Sequence, residues 1–309
     1  MITIYKNHEN KLAQVEKLIP GCWIKAINPT PSEIEQLLTI GIPNDYLTYP
    51  LDLDERSRTE RENGELLIIL RIPYFQGETS DIPYITIPLG IIVTEQYLVT
   101  VCKYDNDILQ EFANGRVKGL IIAKHLRFVL RLLLYTASKY LFYLREINKV
   151  VDTLEDQLQE STRNREVLEL LKYQKSLTYF TTALKSNELM MERLQRSQLF
   201  KTYPEDEDLL DDVLTENQQA IEMTNISSNI LSSMMDAFAS IISNNLNSVM
   251  KLLASITIVL SLPTMVASFY GMNVHLPLEN HPNAFLFALG FSFAISLTVV
   301  FIFWRHDWF

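Results

Sequence analysis

The segment LLASITIVLSLPTMVASFY, residues 252–270, decides the fold, because it contains no charged residue over a length that can cross a lipid bilayer. A second uncharged segment, AFLFALGFSFAISLTVVFIFW at residues 284–304, follows it. At about 1.5 Å of rise per residue, either segment as a helix spans a hydrocarbon core of about 30 Å. We therefore predict two transmembrane helices.

The topology of these helices follows from what flanks them. The connecting loop, residues 271–283, is too short for a domain and predicts a helical hairpin with both ends on one side of the membrane. Lys251 precedes the first span and Arg305 follows the second, and positive residues favour the cytoplasmic side. The opening residues lack the layout of a signal peptide. We expect a multi-pass protein of the cell membrane with both termini in the cytoplasm, the C-terminal tail being residues 305–309.

The part before the spans begins with a mixed α/β domain, residues 1–117. Five runs rich in β-branched and aromatic residues predict a sheet of about five strands. Between the second and third runs, Thr30, Pro31 and Glu33 form the capping-box signature of a helix start. We therefore expect an α/β cytosolic domain at the N-terminus.

Long helices connect this domain to the membrane. In residues 118–204, apolar residues recur at helical spacing and predict two long antiparallel helices. Residues 205–251 predict the stem of one very long helix, since no proline lies between Pro204 and Pro263. Its acid-rich start favours a helix N-terminus, and most of those acids are expected to be solvated.

Composition argues against several other classes of protein. The net charge of −10 disfavours a nucleic-acid partner. The five histidines show no zinc-ligand spacing and no glycine-rich phosphate loop is present, so we expect neither an enzyme nor an organic cofactor. Cys22 and Cys102 lie in apolar runs and are expected to be buried, reduced thiols.

One face of the first span carries polar and small residues, spaced alternately three and four positions apart as in a heptad seam. They are Asn247, Met250, Ala254, Thr257, Ser261, Thr264, Ser268 and Gly271. We call this set the polar stripe. The opposite face is apolar and suits lipid; it consists of Ile256, Val259, Leu262, Val266 and Phe269. A polar stripe indicates either close helix packing or a water-lined pore formed by several copies.

The same spacing continues back into the stem, through Asn229, Ser233, Asp236, Ser240 and Ser243. A coiled-coil seam normally has Leu, Ile or Val at such positions. Asn, Ser and Asp bind helices together poorly but can line a hydrated passage, so this continuation favours the pore.

The end of the first span carries a recognisable motif. Residues 270–273 read YGMN, within LPTMVASFYGMN and before the short loop and the last span. The motif and its position resemble the CorA family of magnesium transporters, and the resemblance covers the whole chain. It implies a funnel-shaped homopentamer in the lipid bilayer. It also implies transport of divalent cations, chiefly Mg²⁺ and also Co²⁺ or Ni²⁺, with cytosolic Mg²⁺ closing the pore.

The resemblance implies roles for individual residues. Gly271, Met272 and Asn273 would form a selectivity filter that binds Mg²⁺ through its retained waters, with Gly271 allowing a tight turn at the helix end. The pore lining would comprise Asp236, Asn247, Met250, Leu253, Ala254, Thr257, Ser261, Thr264 and Ser268. Of these, Met250 and Leu253 match the apolar gating positions, whereas Ser261 replaces a large residue.

Acidic residues complete the implied site. Asp212 would bind the regulatory Mg²⁺ together with Asp105 or Asp107 from a neighbouring copy. Glu279 is the only carboxylate between the spans and would attract cations. The tail departs from the family, since its basic residues are thinned to Arg305. Transport of zinc or another transition metal on the same fold, and a membrane-anchored interaction scaffold, remain the alternatives.

Overall fold

The structure is a computed structural model that describes residues 1–8, 11–62, 64–117, 119–160, 164–200, 203–273, 275, 277, 282–306 and 308. The chain forms two compact units, Met1–Met235 and Asp236–Phe309. The finer division into seven segments remains a prediction.

The first unit is built on a seven-stranded sheet in the order β2-β1-β3-β7-β6-β5-β4. The strands are β1 (Ile2–His8), β2 (Lys11–Val15), β3 (Cys22–Ile27), β4 (Arg58–Glu62), β5 (Glu65–Phe75), β6 (Tyr84–Val93) and β7 (Tyr97–Cys102). Neighbouring strands are antiparallel except the central pair β3 and β7, which is parallel.

The predicted number of about five strands was too low, because β2 and β4 were not recognised as strands in the sequence. These two strands form the edges of the sheet. Their sequences, KLAQV and RTERE, are largely polar and lack the β-branched and aromatic residues typical of strands. Each takes its strand conformation from pairing with its single neighbour, β1 or β5. Charged edge strands also discourage pairing with other sheets.

The helices are α1 (Pro31–Leu38), α2 (Asn44–Thr48), α3 (Asp107–Ala113), α4 (His125–Glu160), α5 (Asn164–Arg196), α6 (Pro204–Tyr270) and α7 (Ala284–Arg305). The predicted capping box is present at α1, where the Glu33 carboxylate accepts a 2.8 Å hydrogen bond from the Thr30 backbone N–H. That bond is the main reason the pKa of Glu33 falls to about 2. The predicted long helix through the stem is also confirmed as α6.

Both faces of the sheet are buried. Along β5, Leu67 and Ile69 pack with Leu37 of α1 on one face. Their neighbours Ile68 and Leu70 pack with the long helices on the other face. Burial on both sides explains why the inner strands are almost continuously apolar. Cys22 and Cys102 are buried free thiols, as predicted.

Within the described residues, α6 and α7 are the helices long and apolar enough to cross a membrane. Helix α4 is apolar along one side but packs that side into the core, where Leu130, Leu133 and Tyr140 are fully buried. The sheet domain, the long helices and the two apolar helices therefore agree with the predicted fold class.

Gly90 in β6 offers a test of the core packing. A Cβ atom at residue 90 would lie 2.2 Å from Cγ of Pro50. We expect Gly90→Ala to lower the free energy of unfolding by about 1–3 kcal/mol through overpacking. Thermal unfolding of the detergent-solubilised protein measures this cost. The same substitution in a Pro50→Gly background should cost clearly less, and an equal cost in both backgrounds would contradict the proposed clash.

Candidate cation pathway

In the second unit, the polar stripe of α6 is left uncovered. Thr257, Ser261, Thr264 and Ser268 are all exposed. The opposite side of the helix is covered instead: Ser255 is fully buried, and Val259, Leu262 and Val266 are half-buried. The apolar face that was predicted to suit lipid is therefore partly covered within the chain at its central residues.

A small residue is buried on each helix of the hairpin. Ser255 of α6 and Ser292 of α7 are both buried, at 0% and 7% exposure. Small side chains let two membrane helices approach closely. Ile256 and Val259 of α6 also border a shared apolar groove with Val300 of α7. The hairpin thus packs through the side of α6 that faces away from the stripe.

The stripe presents oxygen acceptors. Its hydroxyl groups donate to carbonyl oxygens of their own helix, Thr257 to Leu253 at 2.8 Å, Ser261 to Ile258 at 2.9 Å and Thr264 to Leu260 at 3.2 Å. A hydroxyl has one proton and two acceptor positions, so each oxygen still offers a lone pair. Water bound to a cation turns its hydrogens outward. A row of exposed acceptors therefore suits a hydrated cation.

The part of α6 that immediately precedes the polar stripe in the membrane is not covered by other residues of the single chain. Every residue from 239 to 254 is exposed, including Asn247, Met250 and Leu253, and so is Asp236. Large apolar residues project from this segment, among them Ile241, Leu246 and Val249. An exposed apolar surface of this kind marks an interaction site. This segment is therefore a candidate interaction surface.

Helix α6 ends at the Gly-Met-Asn motif. The Gly271 N–H donates to the Ala267 carbonyl at 3.0 Å, and the Met272 N–H to that of Phe269 at 3.2 Å. Gly271, Met272 and Asn273 are exposed. In the part of the chain that the structure describes, the Asn273 amide makes no hydrogen bond, so it does not cap the helix and is available to a ligand.

Two features of this helix end were not expected from the sequence. Gly271 does not have a positive φ, and an added Cβ would lie in ordinary contact 3.4 Å from the Ala267 oxygen, so the local turn does not require glycine. The Tyr270 hydroxyl donates to the Pro277 carbonyl at 3.2 Å and ties the loop to the helix. Glu279 lies outside the described residues.

The predicted regulatory acids lie on separate elements of the first unit. Asp212, on α6, is exposed and forms no ion pair with any described residue. Asp105 pairs with Lys25 at 3.0 Å, and Asp107 with Lys139 at 2.9 Å. Across the described ranges, no three His, Cys, Asp or Glu side chains gather as a metal site. The described chain therefore contains no assembled metal site at Asp212, and Asp105 and Asp107 each already pair with a lysine.

The Asp107 carboxylate has a second hydrogen-bond partner besides Lys139. The Tyr143 hydroxyl also donates to its carboxylate at 3.0 Å. Burial raises the pKa of Asp107, but Lys139 and Tyr143 outweigh burial and lower it. The carboxylate is thus ionised at neutral pH, as a metal ligand must be, while its oxygens already accept hydrogen bonds.

An ion pair at the start of α6 was missed. Asp206 is 5% exposed and accepts a 2.5 Å hydrogen bond from Arg127 of α4, which also pairs with Glu205 at 2.8 Å. The expectation of a solvated acidic run is therefore wrong for Asp206. The available signal was Arg127 itself, since a cation in an apolar helix requires a partner when it is buried.

A very long stem helix, an apolar hairpin and an uncovered polar stripe are typical of a membrane transport protein. The chain belongs to the CorA-like Mg²⁺ transporter protein family, whose model matches residues 21–305. It is 31% identical over 299 residues to the cobalt/magnesium transport protein CorA of Methanocaldococcus jannaschii, covering 93% of this chain and 90% of that protein.

Solved structures show the same fold. The complete CorA magnesium transporter structure from Methanocaldococcus jannaschii superposes with a TM-score of 0.86 at 24% identity, covering 100% of this chain and 99% of that one. The ZntB cytoplasmic domain from Vibrio parahaemolyticus superposes with a TM-score of 0.61 at 13% identity, covering 78% of this chain and 98% of that one. At these identities the likeness shows the fold alone.

Proposed function

We propose that this protein conducts divalent cations, chiefly Mg²⁺ and also Co²⁺ or Ni²⁺, across the cell membrane through a pore of five copies. The observation that carries the proposal is the polar stripe, which the hairpin leaves uncovered and whose last residue, Gly271, begins the motif Gly271, Met272 and Asn273. The 31% identity to a cobalt/magnesium transport protein supports the choice of ions.

The exposure of the stem supports assembly of several copies. Residues 239–254 are exposed on every side, with apolar residues such as Leu246 and Val249 next to the stripe. Several parallel stems would bury the apolar residues against each other and turn the stripe to a common axis. Asp236 would then form a ring of carboxylates in the passage. Both termini would lie in the cytoplasm.

The chemistry of the lining favours Mg²⁺ over zinc. The proposed filter and lining offer amide, hydroxyl and backbone oxygens. Mg²⁺ prefers such oxygens and keeps several of its waters, whereas zinc prefers histidine and cysteine ligands. The likeness to a ZntB domain concerns the fold alone. A scaffold without transport leaves the stripe through the bilayer unexplained.

The gate would respond to cytosolic Mg²⁺. Asp212 is exposed and without an ion pair in the described chain, so it can approach acids of a neighbouring copy. Acids at such an interface repel one another, and Mg²⁺ between them converts the repulsion into a clamp through oxygen ligands and retained waters. When Mg²⁺ leaves, the stems would separate. Met250 and Leu253 would form the apolar constriction.

Uptake by the purified protein in sealed vesicles tests the function. We expect entry of Mg²⁺, and of Co²⁺ or Ni²⁺, into vesicles with a negative interior and no nucleotide present. Moving a double charge down 100 mV supplies about 4.6 kcal/mol. Uptake of Zn²⁺ but not Mg²⁺ would favour the alternative ion. Failure to move any divalent ion would contradict the proposal.

Glu279 supports a smaller prediction. A loose ring of five Glu279 carboxylates at the outer mouth would raise the local cation concentration, an effect that salt screens. We expect Glu279→Gln to slow Mg²⁺ uptake several-fold at low ionic strength and little at high ionic strength. Initial uptake rates at several salt concentrations measure this. A variant that matches the parent at every concentration would remove the role.

A further inference from the structure

A cavity of about 690 Å³ opens in the first unit. It is bordered by the segment before β4, by β5 and β6, and by α5. The lining combines basic side chains, hydroxyl groups and a few apolar side chains.

Positive charge dominates this cavity. Arg56, Arg71, Lys185 and Arg193 line it, against the single carboxylate of Asp54. Within the described chain, none of the four basic residues belongs to an ion pair. This is unusual in a protein of net charge −10, where acids outnumber bases 37 to 27. The excess of basic over acidic side chains in the lining creates a potential that attracts anions.

Arg71 holds one of these charges in place. Its guanidinium donates to the carbonyls of Leu53 at 2.9 Å, Glu55 at 2.7 Å and Thr86 at 2.6 Å. All three hydrogen-bond partners are neutral, so Arg71 is fixed in position without a direct ion pair, while the nearby carboxylates of Asp54 and Glu55 stabilise its charge. Arg56, Lys185 and Arg193 are exposed and can reach a ligand directly. The cavity thus has one fixed charge and three adjustable ones.

The remaining lining suits a flat organic group. The Tyr179 ring is 43% exposed and Leu189 is 60% exposed, on the α5 side of the cavity. An aromatic side chain can stack on a nucleobase, and basic residues bind phosphates. A cavity of this size is within the usual range for small-molecule sites.

We propose that this cavity binds a nucleotide, with its phosphates on Arg56, Lys185 and Arg193 and its base against Tyr179. The inference does not rest on the proposed transport function. Its ligand class follows from the juxtaposition of four unpaired basic residues and an exposed aromatic ring in one cavity.

Calorimetric titration of the full-length, detergent-solubilised assembly with ATP tests the proposal. EDTA is present throughout, so that cation sites do not contribute. We expect saturable binding that weakens about tenfold in Lys185→Gln and in Arg193→Gln, since each loses a charge-assisted hydrogen bond. The matched control is Lys175→Gln, because Lys175 is exposed and unpaired on the same helix but lies outside the cavity. It should bind like the parent.

Titration with inorganic tripolyphosphate distinguishes the contribution of the phosphates to binding from that of the base. The parent should bind ATP about tenfold more tightly than tripolyphosphate, and Tyr179→Ala should remove that preference. Equal affinity of the parent for the two probes would overturn the nucleotide assignment. Absence of saturable ATP binding, or equal weakening by Lys175→Gln and Lys185→Gln, would overturn the site. Binding seen only after the assembly dissociates would show that another copy covers the cavity, and would also overturn it.

Discussion

Replacement of Asn273 by alanine is expected to reduce Mg²⁺ uptake to the background of empty vesicles. Asn273 is exposed just beyond the end of α6, and its amide makes no hydrogen bond to described residues. Mg²⁺ releases its waters reluctantly, so a filter must bind the hydrated ion through those waters. A hydrogen bond to a charged group contributes about 1.5–3 kcal/mol, and the loss of even one lowers uptake roughly tenfold or more. A ring of five losses would end transport.

Asn245→Ala is the matched control for this experiment. Asn245 is also an exposed asparagine of α6, but it lies opposite the polar stripe, between Ser243 and Asn247. Its replacement should leave uptake within about twofold of the parent, as for most surface changes. The initial rates of Mg²⁺ uptake are compared for the parent, Asn273→Ala and Asn245→Ala in vesicles of equal protein content. Parental uptake by Asn273→Ala would remove the selectivity role of this residue.

Replacement of Asp212 by asparagine is expected to remove the protection that Mg²⁺ gives the assembly against proteolysis. The proposed clamp needs ionised carboxylates at the subunit interface, and asparagine cannot supply that charge. Chymotrypsin should cut the parent much more slowly in Mg²⁺ than in EDTA. Asp212→Asn should be cut at the fast rate in both conditions and should transport without inhibition by cytosolic Mg²⁺.

Asp211→Asn provides the control, because Asp211 is exposed next to Asp212 but on a different face of the helix. It should keep the protection of the parent. Substitutions at Asp105 and Asp107 identify the partner acid of Asp212. These carboxylates neutralise Lys25 and Lys139, so their loss also leaves a lysine unpaired. Equal Mg²⁺ protection in parent and Asp212→Asn would leave Asp212 without a sensing role.

The features that the sequence predicted correctly are those for which a short stretch of residues carries a strong pattern of its own. Two long uncharged segments predicted α6 and α7, and the Thr30-to-Glu33 capping box predicted the start of α1. The edge strands β2 and β4 lack such a signal, because their conformation depends on pairing with β1 and β5 rather than on their own residues.

The features that were missed depend on contacts between distant residues. Arg127 and Asp206 are far apart in sequence, so only the fold shows that they form a buried ion pair. The packing face of the hairpin is likewise shown by the burial of Ser255 and Ser292, which periodicity alone does not predict. Periodicity did identify the polar stripe, but only the structure shows that α7 leaves it open.

Cysteine accessibility tests most directly whether the stripe lines a water-filled pore. The native thiols Cys22 and Cys102 are fully buried, so a charged thiol reagent should not affect the parent. Thr257 is on the stripe, whereas its neighbour Ile256 is off the stripe at the same depth and 43% exposed in the single chain. We predict that the reagent blocks Mg²⁺ uptake by Thr257→Cys and spares Ile256→Cys. If Thr257→Cys is spared, or both variants are blocked alike, the stripe is not the cation pathway.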